Sequence, residues 1–358
     1  MRKIVRYGFL LLTIISALLL VASYIVSSFS PERLWLPVFL GLAYPYLLWL
    51  NVAFIGFWLF FRWKYAIIPI LSIAVGINTH GKYLQFRPLA ELSNQQGLKV
   101  LSFNVHHFYS YLENADSSLN VIEFIALQNA DIICLQETKL QRTGELNPIK
   151  LKEQFPGINH CQLAHQSKWN GPVTFSKYPI LNMGEMRFEG SGNMVMFTDI
   201  LIKSDTIRVY NCHLQSFGIK TEEYSVIDSL GFEDYKIEEM KLLGRKMRDA
   251  YIKRASQVDE LSAHIRQCPY PVIVCGDFND TPLSYTYKEV SVGLVDAFVE
   301  SGNGVSNTYR GDLPSYRIDY IFYSRYFEGF NYQRHKVEYS DHMPISATLR
   351  LRGNNIDL

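Results

Sequence analysis

Short apolar runs that end in polar side chains recur through most of this 358-residue chain, and they constrain its fold more than any other feature. The segment 272–282 reads VIVCGDFNDTP, in which a strand-like apolar run ends at Asp277 and Asn279. Strands must end somewhere, and Gly, Asp, Asn and Pro are ordinary turn residues, so one such segment carries little information. The pattern becomes informative because other runs end in the same way.

Four further runs end in, or contain, side chains that could bind a metal or carry a proton. Two more side chains of this kind precede a last run. They are KVLSF (99–103) before Asn104, DIICLQ (131–136) before Glu137, TIRVYNC (206–212) before His213, RIDYIFY (317–323) around Asp319, and Asp341 and His342 before ISATLRL (345–351). Helical spacing of apolar residues appears between runs, at 116–128 and about 235–266. Hard oxygen ligands, an amide and two imidazoles are the side chains needed for magnesium-assisted attack on a phosphoester.

The order of the motifs FNV, QET, NCHL, GDFN, IDYI and SDH resembles the endonuclease/exonuclease/phosphatase superfamily, which has the DNase I-like fold. The resemblance covers roughly residues 98–351, and we predict a catalytic domain over 98–352. It implies an α/β fold in which a four-layer sandwich of two packed β-sheets is flanked by helices. The site is then expected at one edge of the sandwich, where strand ends and loops converge.

The resemblance also implies a metal site. Glu137 is the expected Mg²⁺ ligand, with Asn104 and Asp341 beside it, and Mn²⁺ is an alternative cofactor. Mg²⁺ keeps several waters and takes few carboxylates, so a small ligand set is expected. No CxxC pair is present among the five cysteines, and Cys134, Cys212 and Cys275 lie in strand-like runs, which excludes a cysteine zinc site and indicates buried free thiols.

The catalytic roles are likewise implied by the resemblance. Asp277 is expected to orient or deprotonate the attacking water, and Asn279 to hydrogen-bond the phosphate or that water. His213 is placed to donate to a phosphate oxygen, and Asp319 to orient His342. Either Asp277 or His342 could be the general base. His106 and His107 follow Asn104 and are expected to be ordinary exposed loop residues, with a place in the site as the alternative.

Residues 1–80 are predicted to form a membrane anchor, followed by a linker over 81–97. Uncharged apolar runs cover 7–29, 34–61 and 65–78, and the first has the length needed to cross a bilayer. A cleaved signal peptide is the alternative for the first run, but two more apolar runs follow it directly. The third run is short enough to be a span, a re-entrant piece or a buried helix.

The basic residues set the expected orientation. Arg2, Lys3 and Arg6 precede the first run, while Arg62 and Lys64 separate the second from the third. The positive-inside rule then places the N-terminus in the cytoplasm. Three spans put the catalytic domain on the extracytoplasmic side of a bacterial inner membrane, which is the expected arrangement, whereas two spans would leave it in the cytoplasm.

The chain is therefore expected to be a membrane-anchored, Mg²⁺-dependent phosphodiesterase or phosphatase. An endonuclease acting on DNA or RNA is the alternative, although residues beyond 80 hold 29 basic and 33 acidic residues, a poor balance for non-specific nucleic-acid binding. A silent binding module is disfavoured because each of the motif residues is kept. Six basic residues lie between positions 241 and 254 of the helix near 235–266, which is interpreted as a solvent-facing amphipathic helix, with contact to lipid headgroups or a polyanion as the alternative. These residues are Lys241, Arg245, Lys246, Arg248, Lys253 and Arg254.

Overall fold

The computed structural model describes residues 3–87, 97–108, 115–164, 170–219, 234–311 and 315–352. Their helices are α1 (Lys3–Ser23), α2 (Val38–Phe61), α3 (Ile67–Val75), α4 (Ile77–His80), α5 (Ala115–Leu127), α6 (Pro148–Gln154), α7 (Asp234–Arg266), α8 (Tyr285–Ser291) and α9 (Ala297–Ser301). The helices predicted at 116–128 and 235–266 correspond to α5 and α7 and are confirmed.

Within these ranges the strands form two six-stranded sheets and one two-stranded sheet. In chain order the strands are β1 (Leu84–Gln85), β2 (Leu98–Asn104), β3 (Ile132–Lys139), β4 (His160–Leu163), β5 (Asn170–Ser176), β6 (Ile180–Arg187), β7 (Met194–Ile202), β8 (Asp205–His213), β9 (Val272–Asp277), β10 (Leu294–Asp296), β11 (Gly304–Val305), β12 (Asp319–Ser324), β13 (Phe327–Arg334) and β14 (Ile345–Leu351). Sheet I has the order β13-β14-β2-β3-β5-β4, and sheet II has the order β10-β12-β9-β8-β7-β6.

Alternation along the strands builds the sandwich. On β9, for example, Ile273 and Cys275 enter the core between the two sheets, whereas Val272 and Val274 pack under α7 and α8. The outer face of sheet I is covered in the same way by α5 and α6. Because each strand is apolar on both faces, it reads as a continuous apolar run. The architecture is the predicted four-layer DNase I-like sandwich.

The inner face changes from apolar to polar at one end of both sheets. β2 and β3 are parallel, as are β8 and β9, so their carboxyl ends meet at the same edge. β14 is antiparallel to β2, which brings the residues just before it, Asp341 and His342, to that edge as well. The register therefore explains why separate apolar runs all end in potential ligands.

The N-terminal helices form a bundle with polar bonds between its members. The Asn51 side chain on α2 donates to the Ser16 hydroxyl on α1 and accepts from Ser72 on α3. Two helical stretches, Lys3–Ser28 and Val38–Phe61, are long and apolar enough to cross a membrane. The third stretch, Trp63–Val75, is shorter than that, so its crossing of a bilayer stays a prediction.

This bundle packs directly on the sandwich. The α2 residue Gly41 lies against the Leu283 carbonyl oxygen, and a Cβ there would approach it to 3.1 Å. The Phe39 ring contacts Tyr251 of α7, with 6.4 Å between ring centroids. The Tyr316 hydroxyl donates to the Leu42 carbonyl at 3.2 Å. The entry into α2 is therefore fixed to the sandwich by packing and hydrogen bonding.

The segment between bundle and sandwich was predicted as a polar linker over 81–97. Its first part instead forms β1, which pairs with β11, and no pattern in the sequence predicts this pairing. Residues 88–96 lie outside the described ranges. The five cysteines are free, and Cys134, Cys212 and Cys275 are buried as predicted.

Candidate active site

Asp277 lies at the centre of the polar edge. It is the last residue of β9, where His213 of β8 lies beside it in the parallel register and Asp319 of β12 in the antiparallel register. The preceding Gly276 has φ +133°, and a Cβ there would overlap the backbone of Cys212. Glycine thus allows β9 to approach β8 closely just before the carboxylate, which is buried.

Hydrogen bonds from both sheets hold the Asp277 carboxylate. Asn104, at the end of β2 in sheet I, donates from Nδ2 to Oδ2 of Asp277 at 3.0 Å. Asn279 donates its backbone N–H to Oδ1 at 2.8 Å and its side-chain amide to Oδ2 at 3.1 Å. Asn279 has φ +52°, a left-handed conformation that asparagine tolerates better than most residues. The carboxylate therefore has a fixed orientation and links the two sheets.

His342 lies between two carboxylates. Its Nδ1 is 3.0 Å from Oδ2 and 3.1 Å from Oδ1 of Asp319, and its Nε2 is 3.7 Å from Oδ2 of Asp277. The Ser340 hydroxyl accepts from the His342 backbone N–H and donates to the Asn104 carbonyl. This arrangement fixes the imidazole with one nitrogen on Asp319 and the other toward Asp277.

Glu137 occupies a break in the ladder of β3. The pairing of β3 with β5 shifts register between Leu135 and Thr138, and Glu137 has φ +50°. Its Oε1 is 3.2 Å from Nε2 of His213, which is an ion-pair distance. The angle is not that of a hydrogen bond, and the buried Nε2 of His213 therefore has no hydrogen-bond partner among the described residues. Left-handed backbone at a non-glycine residue is costly and is concentrated at functional sites.

The expectation that His106 and His107 are ordinary loop histidines is wrong. Nε2 of His107 lies 3.5 Å from Oε2 of Glu137, and Nδ1 of His106 lies 3.5 Å from Oδ1 of Asp341. Both histidines have positive φ, 44° and 56°, and this left-handed turn folds the chain after β2 back over the site. Such a turn leaves no periodic signal in the sequence.

The charges of these groups follow from burial and pairing. Burial raises the pKa of Asp277 to about 6. Burial alone would lower the pKa of His342, but Asp319 and Asp277 raise it to about 10. Burial opposes the charged forms of Glu137 and His213 too, yet their pairing lowers the pKa of Glu137 well below its usual range and raises that of His213. A carboxylate that can take a proton near neutrality thus lies 3.7 Å from the His342 imidazole and 3.9 Å from that of His213.

The donor set fits a hard divalent cation. One ligand atom each from Glu137, His213 and Asp277 lie within 4.8 Å of one another, and Asp277, Asp319 and His342 form a second such group. The predicted ligand Asp341 belongs to neither group of carboxylates and imidazoles. The Asn104 amide is engaged with Asp277 and with the His106 backbone, whereas Asp341 lines the same cavity as Glu137. Carboxylate oxygens facing one cavity suit Mg²⁺ or Mn²⁺.

These residues open into a cavity of about 210 Å³. Its catalytic wall contains Glu137, Asp277, Asn279, Asp341 and His342, and its other walls come from the loop after β8, from α7 and from α2. Arg254 of α7 lies behind this wall. It is fully buried, 3.0 Å from Asp280, so the interpretation of the basic residues as solvent-facing is wrong for Arg254.

Sequence reasoning missed several supporting residues. Thr308 accepts the backbone N–H of Asp319 on its hydroxyl, and the adjacent Tyr309 packs its ring edge-on against His342. Below the site, Gln136 donates to Asn211 at 2.8 Å and joins the two sheets. Ser340, Gln136 and Asn211 could have been found as the first residues of the SDH, QET and NCHL motifs, whereas Thr308 and Tyr309 stand in no motif.

The family follows from comparison with known proteins. Residues 101–342 match the family model described as the Endonuclease/Exonuclease/phosphatase family, and the chain belongs to that family. Its members are generally divalent-metal-dependent phosphoester hydrolases. Residues 2–83 match a second model, described as a domain of unknown function (DUF8431). No curated protein matches the chain.

Solved structures share the fold at low sequence identity. A humanized D. rerio TDP2 with 14 mutations has a TM-score of 0.50 and 15% identity, over 71% of this chain and 98% of that one. The human Nocturnin catalytic domain, with bound sulfate, has a TM-score of 0.49 and 18% identity, over 75% and 100% of the two chains. A mannosyl-6-phosphatase from Bacteroides thetaiotaomicron has a TM-score of 0.46 and 17% identity, over 71% and 100%.

Proposed function

We propose that this protein is a membrane-anchored, metal-dependent hydrolase of phosphoesters in which Asp277 is the general base. One observation carries the proposal: Glu137, Asp277 and His342 line a single cavity, and His213 and Asp319 lie directly against them. A catalytically silent descendant would have no need to keep two imidazoles beside a buried, proton-accepting carboxylate. The enzyme reading is therefore favoured over a binding module.

The roles of the side chains follow from their charges. Asp277 takes a proton from the attacking water as the water oxygen bonds to phosphorus. Asn104 and Asn279 fix the orientation of the Asp277 carboxylate. His342 stays protonated because Asp319 is beside it, so we assign it to hydrogen-bond donation toward the phosphate or to protonation of the leaving oxygen. His213 is the second donor. The water oxygen bonds to phosphorus and the ester P–O bond breaks; Asp277 holds the water proton, and the leaving oxygen takes its proton from His342 or from solvent.

We assign metal binding to Glu137 and Asp341, with water completing the coordination. A bound Mg²⁺ or Mn²⁺ would supply charge neutralisation at the phosphate oxygens. Asn104 is assigned a lesser part, since its amide already contacts Asp277.

We further propose that the catalytic domain lies outside the cytoplasm. The sandwich contacts the end of the bundle formed by Ser28, Phe39 and Leu42, whereas Arg6, Arg62 and Lys64 belong to the opposite end. Residues 63–80 run back along the bundle, because Tyr65 contacts Trp58 while His80 contacts Tyr44. Basic residues favour the cytoplasmic side, so this placement supports an extracytoplasmic domain.

Purified full-length protein in detergent tests the function. Bis(p-nitrophenyl) phosphate, p-nitrophenyl phosphate, plasmid DNA and sphingomyelin are assayed with Mg²⁺ and with a chelator. We expect hydrolysis of at least one ester with Mg²⁺ only, loss of that activity in Asp277→Asn, and normal activity in Glu153→Gln, an exposed carboxylate on α6. Equal rates for wild type and Asp277→Asn would exclude the proposal. Cleavage of plasmid DNA alone would favour the alternative, an endonuclease.

A further inference from the structure

A membrane-helix residue forms part of the active-site wall. Leu42, in the second turn of α2, lines the same cavity as Glu137, Asp277 and His342. Its carbonyl accepts the Tyr316 hydroxyl, and Tyr316 also lines the cavity. The bundle is therefore more than a tether: its α2 contributes surface that any substrate of this cavity would meet.

The cavity wall is apolar and aromatic where it leaves the catalytic residues. Leu42, Phe217, Ile219, Tyr251 and Tyr316 form this part, which we call the apolar wall. No lysine or arginine occurs among the described residues that line the cavity. A polynucleotide presents a phosphate at every step and is bound through several such cations. A cavity with one acidic, metal-binding end and an apolar wall fits a substrate that has a single phosphate group next to an apolar group.

The apolar wall also lies at the depth of a membrane interface. Trp35 and Tyr46, both exposed, flank the start of α2, and Trp49, which is 72% exposed, lies about one turn deeper. Tryptophan and tyrosine are enriched where a bilayer meets water. Leu42 lies within this aromatic belt, so the cavity is at the level of lipid headgroups when α2 spans the membrane.

We infer that the substrate is a lipid phosphoester that stays in the bilayer while it is cleaved. Its phosphate reaches Asp277 and His342, and the first apolar atoms beyond the phosphate lie against Leu42 and Tyr316. The inference rests on the proposed function and specifies its substrate class. In the reaction, a water oxygen bonds to phosphorus, one ester P–O bond breaks, and the lipid fragment and the phosphorylated fragment separate, each with its proton.

Full-length protein in vesicles provides the test. Vesicles contain phosphatidylglycerol, phosphatidylethanolamine and sphingomyelin in equal parts with Mg²⁺, and product lipids are measured by mass spectrometry. Bis(p-nitrophenyl) phosphate is the soluble comparison. Leu42→Gln should reduce the vesicle rate relative to the soluble rate by about 10-fold, the size expected for disturbing an apolar contact. Leu50→Gln is the matched control on α2: Leu50 is exposed and absent from the cavity wall, so both rates should stay normal.

A second measurement keeps the test valid if Leu42→Gln does not fold. In mixed detergent micelles, the wild-type rate should follow the mole fraction of substrate lipid in the micelle surface at constant bulk concentration. Dependence on bulk concentration alone would overturn the inference. Hydrolysis of the soluble ester without any lipid product would overturn it too, while leaving the proposed function intact. If no ester of either kind is hydrolysed, both proposals fail.

Discussion

Replacing Asp319 should change the charge of His342 and so the activity. The two groups are 3.0 Å apart and both are buried. At an effective dielectric constant of ~20, a pair of unit charges at this distance interacts by ~5 kcal/mol. The pKa of His342, raised from the ordinary 6.5 to about 10, corresponds to a similar ~5 kcal/mol. Without the Asp319 charge, the pKa of His342 should therefore fall toward or below 6.5.

The assay is the pH dependence of hydrolysis of a soluble phosphodiester at saturating Mg²⁺. At pH 8, Asp319→Asn should lose about 10²- to 10⁴-fold in rate, the usual contribution of a positioned acid or base. Part of the loss should be recovered at lower pH, where the imidazole regains its proton. The double variant, which combines Asp319→Asn with His342→Ala, should be no less active than the more damaged of the two single variants, because the pair acts as a unit. Losses that multiply, or a pH profile that Asp319→Asn leaves unmoved, would refute the coupling.

Four further outcomes are expected. Glu137→Gln removes an anionic oxygen at constant size, so Mn²⁺ binding followed by electron paramagnetic resonance should weaken and excess Mg²⁺ should not restore hydrolysis; full wild-type activity in a chelator would contradict this. A C-terminal alkaline phosphatase fusion should be active in bacteria and a green fluorescent protein fusion dark, whereas the reverse would place the domain in the cytoplasm. Arg317→Met breaks a buried ion pair with Asp296 and should lower the free energy of unfolding by about 3–5 kcal/mol, measured in denaturant; a change below 1 kcal/mol would contradict it. Burial lowers the pKa of His335 to about 4, so as pH falls from 6.5 toward 4 the unfolded chain is protonated at this residue before the folded protein, and stability is lost. His335→Gln should remove this loss, worth ~2 kcal/mol, and so flatten the plot of melting temperature against pH over that range. Plots of the same slope for wild type and variant would exclude the effect.

The sandwich was predictable because its information is local. The runs that end at Asn104, Glu137, His213 and Asp277 each carry the change from apolar to polar that marks the site edge, and the parallel registers bring those ends together. The contact between Asp319 of the IDYI motif and His342 of the SDH motif is likewise the one that the order of the motifs, and the family resemblance they carry, implies. Side-chain type and strand position together specify these elements.

Other parts depend on contacts between distant segments and could not be predicted. His106 and His107 reach the site through a left-handed turn, which is uncommon for any residue other than glycine and has no pattern in the sequence that specifies it. Leu42 meets the cavity because α2 packs on the sandwich, and no pattern within residues 34–61 encodes that partner. Whether the stretch after Arg62 crosses a bilayer also depends on its packing against α1 and α2.

The topology of sheet I has a consequence for synthesis of the chain. Sheet I strands β2 to β5 are made first, the six strands of sheet II (β6 to β10 and β12) follow, and only then do β13 and β14 return to cover the free edge of β2. Asp341 and His342 arrive with that last strand. A nascent chain that has not yet released β14 therefore has neither a closed sheet I nor Asp341 and His342 at the site edge. The domain should remain inactive until this final strand is released and paired.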